Sequence, residues 1–110
     1  MGYVFQGREL EADEEMFLVE PIFEDEIVEI IAAAEQVDLT EDHWLVIRYM
    51  REQYREHGHT PNFRNMVKDF NEDHPGRDWK SYLYELFPQQ PARQAARIAG
   101  LTKPYGKGGY

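Results

Sequence analysis

Few side chains in this chain are placed to do chemistry. Four histidines occur, and two of them, His57 and His59, flank Gly58 just after Glu56. Imidazole and carboxylate both bind zinc, but this trio lacks the spacing of helical His/Glu zinc motifs. It also falls at an expected helix end, where a protonated imidazole suits the helix dipole. No metal or cofactor is therefore expected. His43, next to Trp44, reads as a first-turn surface or edge residue rather than as a base. Carboxylates abound in Glu14-Glu15 and Glu24-Asp25-Glu26, yet such runs are most simply solvated turns and helix starts. Acid–base work needs one acid set apart by its surroundings, and the sequence marks none. Ser81 is the lone serine, which argues against a serine triad. Gly106-Lys107-Gly108-Gly109 precedes no helix and cannot cradle a phosphate. Cysteine is absent, which removes disulfides, zinc thiolates, iron–sulfur clusters and thiol nucleophiles together.

Cations are the remaining candidates. Residues 1–47 carry 14 acids and one base, Arg8, whereas residues 48–110 carry 7 acids and 11 bases. Such a bipolar chain either presents two different faces to partners or bridges its halves by local salt bridges. Arg48, Arg51 and Arg55 form a basic stripe on one expected helix, and Arg64 and Lys68 pair at i, i+4 on the next. With the turn between them these helices resemble a helix-turn-helix that could touch phosphates, the alternative being an ordinary helical corner with a solvated basic face. The net charge of −9 favours the plain corner and disfavours non-specific attraction to nucleic acid or anionic lipid.

The elements that must position these residues are legible in outline. At 110 residues, 42% apolar and 14% aromatic, the chain suits one domain with one core. Tyr3-Val4-Phe5, a Gln6-Gly7 turn and Glu9-Leu10-Glu11 predict a β-hairpin, and Asp13-Glu14-Glu15 a second turn leading into Met16-Phe17-Leu18. A first helix is expected over 24–35, with Ile27, Ile30, Ile31 and Ala34 on its buried face. Thr40 is the expected N-cap of a second helix to about His57, with Trp44, Ile47, Met50 and Tyr54 as its apolar stripe and Gly58 as its stop. Thr60-Pro61 is expected to open a third helix, burying Phe63, Met66, Val67 and Phe70. A polar loop over 71–78, a short aromatic helix over 79–87 stopped by Pro88 and a helix over 91–99 follow. The last ten residues, LTKPYGKGGY, hold three Gly and a Pro and predict a mobile arm. The start has no signal-peptide pattern, and no apolar run reaches the roughly 18 residues that span a bilayer, so a cytoplasmic monomer with no membrane contact is expected.

The run from Lys80 to Pro88 (KSYLYELFP) and the run from Pro91 to Pro104 (PARQAARIAGLTKP) resemble the C-terminal signature of the DsrC/TusE family. Leu39 to Trp44, Arg51-Glu52-Gln53-Tyr54 ahead of Gly58 and Pro61, the Gly7 turn and Asp13 to Leu18 extend the resemblance over nearly the whole chain. It implies a mainly α fold: a small helical bundle with an N-terminal β-hairpin, here residues 1–100, and a flexible C-terminal arm, residues 101–110. It also implies work in a sulfur relay or with sulfite reductase. Sulfur-carrying relatives hold persulfide on a cysteine near the arm's end, and some have a second cysteine upstream.

In this chain those positions match Lys107 and Ala96, and Thr102 stands where a proline is usual. An exposed lysine amine is protonated near neutral pH and forms no persulfide. The resemblance therefore implies a cysteine-free relative that is not an enzyme and that docks on sulfur-relay or sulfite-reductase partners or regulates them. Arg93, Arg97, Lys103 and Lys107 are its candidate partner contacts, with plain solvated charges as the alternative. A nucleic-acid-binding regulator using the helix-turn-helix-like corner is the second reading.

Overall fold

The computed structural model describes residues 2–104. β1 (Gly2–Phe5) and β2 (Arg8–Glu11) form a two-stranded antiparallel sheet in which Phe5 faces Arg8 and Gly2 faces Glu11. The register leaves two residues for the turn, and Gln6 and Gly7 both take positive φ (52° and 77°), the pairing that matches strand twist. Alternation buries Tyr3 and Phe5 and leaves Val4 exposed. The second expected turn is present too. Asp13 Oδ1 accepts from the N–H groups of Glu15 and Phe17, and Leu18 bridges back to Ala12.

Five helices follow: α1 (Asp25–Ala34), α2 (Glu41–His57), α3 (Phe63–Asp73), α4 (Trp79–Leu86) and α5 (Pro91–Ile98). α5 lies at the centre. It contacts α1, α2, α3 and α4, and six of its eight residues are buried. Alanine makes this possible, because Ala92, Ala95, Ala96 and Ala99 let neighbouring helices approach closely while Ile98 and Leu101 fill the ends. Phe17 and Phe87, both fully buried, add about 1.5–3 kcal/mol each from removing their rings from water.

Three local expectations need correction. α1 buries Ile27, Val28, Ile31 and Ala32, whereas Ala34 is exposed. The face is rotated because α1 packs on α5, and that rotation carries Glu35 inward as well. α3 is capped by Asn62, whose Oδ1 accepts from Asn65 N–H at 2.9 Å, and not by Thr60. Asn caps as well as Thr does, while Thr60 and Pro61 are drawn into the interior before the helix starts. The Thr60 hydroxyl is buried with no hydrogen-bond partner among the described residues. His43 is no surface residue. It is 7% exposed, its Nδ1 accepts from Thr40 N–H at 3.1 Å in a capping box, and its Nε2 donates to the Leu86 carbonyl at 2.8 Å. It ties the start of α2 to the end of α4.

Candidate functional site

α5 and the chain that leaves it gather the cations named as partner contacts. Pro91 starts the helix and Gln90 precedes it at φ 63°. Gly100 ends it at φ 82°, and a Cβ there would stand 2.6 Å from the Ile22 carbonyl oxygen, so the position requires glycine twice over. Leu101 N–H returns to the Ala96 carbonyl at 3.1 Å, and Leu101 is fully buried. Thr102 Oγ1 and Tyr54 Oη lie 3.1 Å apart, and Pro104 is buried. The first four residues of the expected arm therefore pack on the domain. Lys107 and the rest of that arm lie outside the described residues.

The cations meet acids from the first half of the chain. Arg97 forms a two-point pair with Glu35, Nε to Oε2 at 2.5 Å and Nη2 to Oε1 at 2.9 Å, and Gln94 Nε2 adds a third donor at 2.9 Å. Both ends of this pair are nearly buried, and the carboxylate holds the guanidinium's pKa above its ordinary value. Arg93 and Lys103 both contact the Glu15 carboxylate. The hydrogen bond from Lys103 pulls the Glu15 pKa down, and the same bond lifts that of Lys103. Both guanidiniums also sit over the Phe17 ring, at 5.3 Å (Arg97) and 5.5 Å (Arg93). An open hollow of about 480 Å³, lined in part by Tyr3, Glu35, Gln89 and Arg97, adjoins them. Burial raises the Tyr3 pKa, so its hydroxyl stays protonated and donates to the Met16 carbonyl at 3.1 Å.

Ala96, the position the resemblance sets against the upstream family cysteine, is fully buried inside α5. Its methyl group belongs to the core and offers nothing to a reagent in solution.

The five cations of the helix-turn-helix-like corner do not form one surface. Arg51 is 6% exposed, and its guanidinium is spent on the fold: Nη1 on Asp25 at 2.8 Å, Nη2 on the Glu24 carbonyl at 2.8 Å and Nε on the Ala99 carbonyl at 3.3 Å. It joins the start of α1 to the end of α5, and at that burial its guanidinium faces the interior rather than a phosphate in solution. Arg55 lies over the Phe23 ring at 4.7 Å and Arg48 over Trp44 at 6.0 Å. Arg64 and Lys68 stay exposed on α3, and Tyr49 donates across the corner to Asp69 at 2.6 Å. His57 and His59 are exposed, with rings 6.1 Å apart. Among the described residues no three His, Cys, Asp or Glu side chains gather where they could hold a metal ion. Nor is any helix among them long and apolar enough to cross a membrane.

Sequence reasoning missed Glu15, Glu35 and Phe17 as members of this site. Glu35 had a signal, since it sits one turn beyond Ile31. Glu15 had none, because the Arg93 it meets on α5 lies 78 residues away in the chain.

Residues 4–107 match the family described as DsrC like protein. The chain is 43% identical over 103 residues to the sulfurtransferase TusE of Photorhabdus laumondii, covering 92% of this chain and 93% of the relative. It is 39% identical over 103 residues to the sulfurtransferase TusE of Escherichia coli, covering 92% of this chain and 94% of that relative. It superposes on the oxidized gamma-subunit of the dissimilatory sulfite reductase (DsrC) from Archaeoglobus fulgidus with a TM-score of 0.85 at 36% identity, over 96% of this chain and 98% of that one. These relatives correct the expectation that the chain is not an enzyme, because proteins this similar are named sulfurtransferases. The nucleic-acid alternative has no support, since the proteins it resembles are named for sulfur transfer and sulfite reduction. A match over most of the chain, agreeing in sequence and in fold, places this protein in the DsrC/TusE family.

Proposed function

We propose that this chain is a docking member of a cytoplasmic sulfur relay, engaging its partner through the α5 side and the segment that follows, with no thiol of its own to hold sulfur. One observation carries the reading. The family match covers residues 4–107, while the chain holds no cysteine and the resemblance sets a buried Ala96 and Lys107 against the family cysteines. Lys103 suits a docking role, because its side chain is 48% exposed and its partner Glu15 is 42% exposed. A carboxylate on an incoming protein can take the place of Glu15 at small cost, since exposed ion pairs are worth little. Arg93 and Arg97 then act by holding the surface in shape, and Lys107 by adding charge beyond it.

Titration of the full chain against a TusBCD-type complex and against a dissimilatory sulfite reductase at low salt tests this. Saturable binding to one of them is the expected result, and it also chooses between a sulfur-relay and a sulfite-reduction setting. Absence of binding to both overturns the reading. Lys107→Cys sharpens it, because a retained docking surface should let that variant accept persulfide from the relay donor where the parent chain does not.

A further inference from the structure

The hairpin opens on one side into a groove of about 380 Å³ between β2 and the segment from Leu18 to Ile22. Leu18 bridges to Ala12, and Val19 N–H donates to the Glu11 carbonyl at 3.2 Å, so a third strand begins to form. It then leaves β2. Glu20 and Pro21 lead it away, and Ile22 N–H is taken by the Gly100 carbonyl at 2.9 Å.

The two-residue turn makes Phe5 and Arg8 a hydrogen-bonded pair, and strict alternation makes Tyr3 and Leu10 the next one. The N–H and C=O of Glu9 and Glu11 must therefore point away from β1. Glu11 uses its carbonyl on Val19, which confirms the parity. Glu9, two residues nearer the turn, has no partner on that side among the described residues. The groove thus presents an unpaired strand edge, with Leu10, Leu18 and Val19 as apolar wall. Val19 is 51% exposed and lines the groove. Its rim carries Glu9, Glu11 and Glu20 against the single base Arg8.

We propose that this groove takes an extended segment of a partner protein as an added β-strand, one whose basic residues alternate with aliphatic ones. Main-chain hydrogen bonds to Glu9 supply the affinity, and the acidic rim selects the charge of the occupant. The surface uses neither α5 nor its cations, so it stands or falls separately from the docking role above.

The test is a titration of the 15N-labelled full chain with a capped peptide alternating lysine and valine, beside one alternating glutamate and valine. The expected result is amide shifts centred on Glu9, Glu11 and Val19, slowed exchange of the Glu9 N–H, and roughly tenfold or greater preference for the lysine peptide, lost at high salt. Glu9→Pro removes the outward N–H without touching a bond to β1 and should weaken binding roughly fivefold. The paired change Glu11→Lys with Glu20→Lys should reverse the preference, and it decides the matter alone if Glu9→Pro unfolds the hairpin. Equal affinity for both peptides, or shifts centred elsewhere, overturns the proposal. Binding that emerges only after residues 105–110 are deleted also overturns it, by making the chain's own end the occupant.

Discussion

Arg93, Arg97 and Lys103 beside α5 are the same residue types as Arg48, Arg55, Arg64 and Lys68 at the α2–α3 corner, but they meet different surroundings. The first set closes on Glu15 and Glu35, and the side chains of Arg93 and Arg97 keep only 11% and 13% of their exposure. The second set makes no ion pair among the described residues and lies over aromatic rings or in water. Arg51 crosses between them: it belongs to the corner's stripe by spacing and to the α5 side by contact. Cation type and helical period therefore say little about role. What separates the two regions is whether the first half of the chain delivers a carboxylate.

Changes that remove that delivery should break the contrast most strongly. Arg51→Ala leaves the Ala99 carbonyl without its side-chain donor and unties α1 from α5, so a loss of about 3 kcal/mol is expected in urea unfolding. Gly100→Ala forces a Cβ against the Ile22 carbonyl at positive φ and should cost about 1–3 kcal/mol in the same measurement. Arg97→Ala and Glu35→Ala should each cost about 1–3 kcal/mol, and a double-mutant cycle should return about 1 kcal/mol or more of coupling. Arg97→Lys should recover only part of it, since the pair is two-pointed.

Acid titration sharpens the comparison at Glu15. Its folded pKa is depressed, so its contacts with Lys103 and Arg93 contribute above the unfolded carboxylate value and are lost only as pH falls through the lower folded one. Carbon-detected NMR of Glu15 should show that late protonation, and Lys103→Ala should move it back toward the ordinary range. The smallest effect belongs to the corner: Arg64→Ala with Lys68→Ala should change stability by no more than about 0.5 kcal/mol.

Much of the fold could be read from particular residues. Gln6-Gly7, Thr40 and Gly58 announced a turn, a start and a stop through local backbone chemistry, and each is where it was expected. Asn62 outcompeted Thr60 as a cap because only the packed structure decides which polar residue stays outside. His43 could not be read as buried, since its acceptor, the Leu86 carbonyl, is 43 residues away. The buried face of α1 departs from the one its spacing predicts for a like reason, the packing of α5 against it.

By itself, the sequence determined that no thiol is present, that one core suffices, and that the helices and hairpin fall near their caps and turns. These follow from composition and from interactions within a few residues. Only the tertiary structure decided that Ala96 is core, that Arg51 is a strut, and that Glu15 and Glu35 hold the α5 cations. Such outcomes depend on desolvation and on contacts between distant segments, and no local pattern encodes them.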